Sequence, residues 1–424
     1  MADGCIRRGM CARRAGRGTT RATRRCVIAR VIARDARAGD DEVARGGIAS
    51  NGCGHGRYDW QFRGDLNTNS ECPVVMSSRV VARAVRERWR VAARGRGKTR
   101  GVGSTSRTTP RGMELVDIGV NLTDEMFSGV YRGKRAHDDD RALVLRRARE
   151  VGVTDVIVTA GTLEEAREVV EMVRARERSG EEATGTPRLR ATCGVHPTRC
   201  GAFDADVDGA DGHLEKLRAV AMDGTTDGTI VAIGELGLDY DRLEFCDAET
   251  QRKMFEKQFA LSEATGLPLF LHMRAAREDF MEIIARNRHR FTEGVVHSFT
   301  GSAEDARAVL AVDGLHIGVN GCSLKTPENL DVVRDIPLER MCLETDAPWC
   351  GIKRTHAGFE DISSPESWPA TVKKEKWTPG AFVKDRCEPA HVLHVAQIVA
   401  AVKNIDVHTV AEITSANARR IFRL

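Results

Sequence analysis

Aromatic residues are scarce in this 424-residue chain, making up 5% of it, and only three of them are tyrosine. That scarcity excludes an extended surface for stacking nucleobases. Long hydrophobic runs are missing as well. None approaches the roughly 18 residues of a membrane span, so the chain reads as soluble, with no membrane partner. The twelve cysteines never fall in the paired C-x-x-C spacing that would mark a zinc–cysteine site. Scattered as Cys193, Cys246, Cys322 and Cys350 are, they read as reduced thiols of an intracellular compartment, since a chain of this length does not depend on disulfides for its core.

Acid is nearly absent where arginine is densest. The formal net charge is +4, yet up to Gly112 about two dozen arginines face fewer than about ten acids, so the remainder is net acidic. Residues 1–112 sustain no hydrophobic period and read as a disordered Arg/Gly-rich extension. Three readings compete for it. One is an organellar transit segment, addressed to a mitochondrion or chloroplast, against which Asp40, Asp41 and Glu42 count. The second is a basic arm for nucleic-acid phosphates. The third is a spurious extension, with translation starting at Met113. Without a transit signal, nucleus or cytoplasm is the expected location.

From Met113 the pattern changes. Apolar runs LVDIGVN, TDVIVTAG, LRATCGVHP, TIVAIGELGLD, LPLFLHMR, GVVHSF, GLHIGVN and MCLETDAP alternate with amphipathic stretches such as TLEEAREVVEMVRARER and AETQRKMFEKQFALSEATG. Asp, Ser or Thr opens several of these stretches and Gly closes several, as at helix caps. Repeated βα units over 113–424 predict a (β/α)₈ TIM barrel of the metal-dependent hydrolase type.

Reactive side chains fall late in those strands: His196 on the third, Glu235 on the fourth, His272 on the fifth, His297 on the sixth and Asp346 on the eighth. In a parallel barrel these ends converge on one mouth. A lone histidine is more often structural than a ligand, and a carboxylate can pair with a surface lysine. Carboxylates in apolar strands need a compensating cation, however, and neither VAIGELGLD nor LETDAP supplies one. Together Glu235, His272, His297 and Asp346 point to a metal site, with Glu235 the expected bridge between two ions. Mixed imidazole and carboxylate donors suit Zn or Mn, and Mg where phosphate completes the shell, so one or two divalent cations per chain are expected. His137, His316, His356 and His408 lack this placement and read as structural or solvent-facing.

One feature of metal hydrolases is absent. The first strand, where such enzymes often carry His-x-His, has Asn121, Leu122 and Thr123. The stretches DIGVNLTD, CGVHPT, IGELGLDYDR, FLHMR, HSFTG, LETDAPWCGIKRTHAG and VKDRCEP resemble, in family order, the TatD family of metal-dependent deoxyribonucleases. The resemblance covers Met113 to Leu424. It includes a subgroup with N-L-T on the first strand, which implies that the remaining ligands suffice and that a second ion binds more weakly. It further implies hydrolysis of DNA, mainly single-stranded, from the 3′ end. Asp346 would take a proton from the attacking water, and His196 would orient the phosphate or assist the leaving group.

Asn121 and Glu388 are expected behind the ligands. Family members commonly read R-N-E-P where this chain has Arg386, Cys387, Glu388 and Pro389, and a thiol cannot replace the amide as a hydrogen-bond donor. For phosphate contacts the sequence offers Arg242 and the basic residues Lys353, Arg354, Lys373, Lys374 and Lys376 after the eighth strand. Two other functions remain open: an amidohydrolase cleaving a C–N bond on the same barrel, and a catalytically silent DNA-binding module.

Overall fold

The computed structural model describes residues 112–180 and 185–424. The extension expected over 1–112 lies, except for its last residue, outside them. All eight predicted runs are strands: β1 (Leu115–Val120), β2 (Val153–Val158), β3 (Arg188–Cys193), β4 (Ile230–Asp239), β5 (Leu269–Arg274), β6 (Gly294–Val296), β7 (Leu315–Val319) and β8 (Met341–Leu343). They form one eight-stranded sheet in sequential order. Neighbours pair in parallel, as in β4 with β5, where Gly237 lies opposite His272. β1 is buried along its whole length, which is why it reads as a near-continuous apolar run: a parallel sheet has both faces covered. β8 returns to β1 at the mouth, where Asn121 N–H donates to Ala347 O (2.7 Å) and Asp346 N–H to Gly119 O (2.8 Å).

The helices turn an apolar stripe to the sheet, and several open on a side-chain cap. α1 spans Arg141–Glu150, α2 Leu163–Ser179, α3 Gly201–Ala205, α4 Gly209–Thr226, α5 Ala248–Thr265, α6 Arg277–Asn287, α7 Ala303–Ala311 and α8 Pro327–Asp335. In α2 the Thr162 side chain accepts from Glu165 N–H, and Gly180 ends the helix in the left-handed conformation. Its Leu163, Ala166, Val169, Val170 and Val173 are buried, the spacing of a single helical face turned to the sheet. After β8 the chain adds α9 (Val392–Lys403) and α10 (Val407–Phe422).

Two apolar clusters result. The larger lies between strands and helices. The smaller joins Val116, Ile118, Ile157, Val231, Phe270, Val295 and Cys342 to Ala418, Ile421 and Phe422 of α10. The smaller cluster fills the barrel, and α10 closes its floor. Polar contacts fix that helix: Asn417 Nδ2 donates to Leu338 O and Met341 O (2.9 and 2.8 Å), and Ser415 Oγ to Glu114 O (3.2 Å).

Beside α1 lies a buried ion network. The Arg386 guanidinium reaches both Asp140 oxygens (2.8 and 2.6 Å) and Glu388 Oε1 (2.8 Å). Arg147 makes a two-pronged contact with Glu388 (2.8 and 3.0 Å). The side chains of Asp140, Arg386 and Glu388 are 0% exposed.

Candidate active site

Glu235 occupies the centre of the mouth. Its Oε1 lies 2.7 Å from His272 Nδ1, 2.6 Å from His297 Nε2 and 3.4 Å from His196 Nε2. Each partner arrives from a different strand end. His196 follows β3, and its Nδ1 accepts from Thr198 N–H (3.1 Å), which turns Nε2 toward Glu235. His272 lies in β5 beside Gly237, where an added Cβ would come within 1.9 Å of the His272 carbonyl. Only glycine lets β4 approach β5 so closely, and that approach brings the glutamate to the imidazole.

The charges depend on one another. Burial works to raise the Glu235 carboxyl, but the neighbouring His297 and His196 and the hydrogen bonds from His272 and His297 hold it well below the usual carboxylate range. Burial would lower His297, yet Glu235 and Glu344 keep it well above an ordinary histidine. His196 follows its burial and falls to about 3, a neutral imidazole with Glu235 opposing the shift.

These donors suit a divalent cation. His196, Glu235 and His272 offer ligand atoms that all lie within 4.8 Å of one another. His272 Nε2, His297 Nδ1 and Glu344 Oε2 are buried without a hydrogen-bond partner among the described residues, although they come within 3.3 Å (His272 Nε2 to Asp239 Oδ2) and 3.6 Å (His297 Nδ1 to Glu344 Oε2) of opposite partners. Buried polar atoms left in this state carry a desolvation cost that ligation would remove.

Asp346, also expected as a ligand, is anchored from β1. Asn121 Nδ2 donates to its Oδ1 (3.0 Å), and Asn121 Oδ1 accepts from Thr159 Oγ1 (2.8 Å). Asn121 therefore positions a carboxylate where a His-x-His pair would have offered ligands. The Cys350 thiol donates to the other oxygen of Asp346 (3.2 Å), and Cys322 Sγ lies 2.9 Å from Cys350 Sγ. Burial raises the Asp346 carboxyl to about 6, with His297 opposing and Glu235 and Glu344 adding.

Three acids here escaped sequence reasoning. Glu344 is fully buried and accepts from Ser298 N–H and Asn320 Nδ2. It directly follows β8 and stands two residues before Asp346, so LETDAP offered it as a second carboxylate at the same strand end. Asp239 faces His272 from the end of β4. Asp117 of β1 accepts from Thr345 N–H and Oγ1 (2.9 and 2.6 Å), and burial pushes its carboxyl up to about 8.

Glu388, expected behind the ligands, spends its carboxylate on Arg147 and Arg386, and among the described residues no hydrogen bond joins it to Glu235, His272, His297 or Asp346. Of the basic residues, Lys373 and Lys374 line a cavity of about 800 Å³ that includes Trp349. Arg242 is half-exposed, 3.6 Å from Asp239. Arg354 lies over the Phe359 ring at 5.9 Å.

Comparison with known proteins agrees with this geometry. A family model described as TatD related DNase matches residues 116–423. The deoxyribonuclease Tat-D of Schizosaccharomyces pombe is 41% identical over 303 residues, 71% of this chain and 93% of that protein. The 3′-5′ ssDNA/RNA exonuclease TatD of Erwinia tasmaniensis is 31% identical over 313 residues, 73% of this chain and all of that one. Among solved structures, an uncharacterized amidohydrolase from Saccharomyces cerevisiae is 35% identical, covers 73% of this chain and 100% of its own, and superposes with a TM-score of 0.67.

Proposed function

The chain belongs to the family of TatD-related DNases, and from that premise we propose a metal-dependent deoxyribonuclease that hydrolyses phosphodiester bonds and removes nucleotides from the 3′ end of single strands. The observation that carries this reading is the single carboxylate oxygen of Glu235 shared by three imidazoles at the barrel mouth.

Glu235, His272, His297 and Asp346 would hold one or two divalent cations, Mg, Mn or Zn, with Glu235 as the bridge. Such ions supply positive charge to the phosphoryl oxygens and make water a better nucleophile. The remaining work belongs to side chains. Asp346, fixed by Asn121 and Cys350, takes the proton of the attacking water. His196, neutral and turned inward by Thr198, orients the phosphate and assists the leaving oxygen. An amidohydrolase reading is not favoured: Asn121 replaces the first-strand histidines, and the Schizosaccharomyces pombe and Erwinia tasmaniensis relatives are named nucleases. A silent binding module would require missing ligands, and all four are present.

Arg242, Lys353, Arg354, Lys373, Lys374 and Lys376 are the proposed phosphate contacts. Replacing Lys373, Lys374 and Lys376 together with alanine should raise KM for DNA and flatten its salt dependence, with kcat little changed. An unchanged salt slope would assign these lysines to solvent.

Among the described residues no helix is long and apolar enough to cross a membrane. For compartment we propose nucleus or cytoplasm, with 113–424 as the catalytic domain and 1–112 dispensable for chemistry. The deciding assay incubates single-stranded DNA and RNA, labelled at either end, with the full chain and with Met113–Leu424, across Mg²⁺, Mn²⁺ and Zn²⁺. The two proteins should shorten 5′-labelled DNA stepwise and alike. Direct release of a 5′-labelled mononucleotide would reverse the polarity, and no cleavage with any ion would sink the nuclease reading. A fragment that fails to fold would give residues 1–112 a structural role.

A further inference from the structure

Trp349 differs from the large aromatic side chains buried in the core, such as Phe127, Phe255 and Phe270, in being 52% exposed. It stands three residues beyond Asp346, and its main-chain N–H donates to the Asp346 carbonyl at 2.9 Å, which fixes its backbone beside a proposed ligand. It borders the cavity of about 800 Å³ shared with Tyr131, Lys373, Lys374 and Lys384. Lys374 Nζ sits 4.7 Å over the Tyr131 ring and occupies that face, which leaves the indole as the aromatic surface for a ligand. The cavity lining balances four basic residues against four acids. Net charge alone therefore does not retain a polyanion there. A planar base against the indole supplies an attraction indifferent to charge and to sequence.

We propose that Trp349 stacks one nucleobase of the strand whose phosphate enters the barrel mouth beside Glu235 and Asp346, a subsite that rests on the nuclease reading and adds to it. The strand lies across the cavity with that base on the indole and its phosphates near Lys373, Lys374 and Lys384. A base in a duplex reaches the indole only after leaving its neighbours, an unstacking that opposes binding. The subsite thereby selects single strands and frayed ends over closed duplex. A single tryptophan suffices for one base, in keeping with a chain too poor in aromatics for an extended platform.

The test uses the full chain and a dye-labelled, cleavage-resistant phosphorothioate DNA strand, with binding followed by fluorescence anisotropy. A set of strands carries one abasic position moved stepwise from the 3′ end. Wild-type protein should bind one member of the set about tenfold more weakly than the others, the loss expected from a missing base stack. Trp349→Ala should bind the intact strand about tenfold more weakly and respond alike to every abasic position, while Trp349→Phe recovers part of the positional response. Equal wild-type affinity for all abasic strands, or an unchanged pattern in Trp349→Ala, would overturn the subsite, as would absence of binding. A positional pattern erased by Trp349→Ala in a protein that cleaves no ordinary DNA would instead uphold the subsite and reject the nuclease reading.

Discussion

Purified Glu235→Ala should cleave single-stranded DNA at least about a thousandfold more slowly than the wild type, a loss of roughly 4 kcal/mol of transition-state stabilisation. Among the described residues, Glu235 is the one carboxylate in contact with His196, His272 and His297 together, so its removal takes away the negative partner they share. The fold should survive. The neighbouring imidazoles can give up their protons once the carboxylate is gone, which leaves no unpaired charge there. Circular dichroism should match that of the wild type, and metal content after dialysis against buffered Mn²⁺ or Zn²⁺ should fall. Glu235→Gln keeps the shape without the charge and should be nearly as inactive. If either variant retained more than about a tenth of wild-type activity, the bridging role would be wrong.

Arg386→Ala should be the most damaging change to stability outside the apolar core. The guanidinium neutralises Asp140 and half of Glu388 in a region with no exposed side-chain surface. Deleting one member of a buried ionic cluster typically costs about 3–5 kcal/mol, because the partners stay buried without compensation. For a domain of this size that lowers the unfolding midpoint by on the order of 10 °C. Arg147, 3.7 Å from Asp140, is the only other cation placed to help among the described residues, and it is already committed to Glu388. Denaturant titration of the variant beside Arg147→Ala measures both. A loss below about 1 kcal/mol in Arg386→Ala would mean that Arg147 alone satisfies both acids, and that Arg386 behaves like a surface ion pair.

The strands were legible because a parallel barrel buries both faces of each, and LVDIGV or LFLHMR can hardly be anything else once helices flank them. The position of Glu235, His272 and His297 was legible for a geometric reason: late in a barrel strand means at the mouth. Partners joined through space were not. Glu388 pairs with Arg147 across 241 residues, and Arg386 with Asp140 across 246, and nothing in the local pattern of R-C-E-P distinguishes a metal-supporting acid from one neutralised by arginine. Asn121 was expected behind the ligands, and its hydrogen bond to Asp346 appears only when β8 closes on β1. The assignment of α10 also lay beyond the pattern, since its apolar face answers to the inside of the barrel and not to a flanking sheet surface.

That last helix orders events during synthesis. Every proposed ligand is translated before Val407, so a growing chain carries its full catalytic set while the barrel still lacks Ala418, Ile421 and Phe422 beneath Ile118 and Phe270. Until α10 emerges, water has access to the apolar interior from below, and the strand ends that hold Glu235 and the histidines have no floor to set their spacing. Only docking of the closing helix covers that interior, by setting Ala418, Ile421 and Phe422 against Ile118 and Phe270.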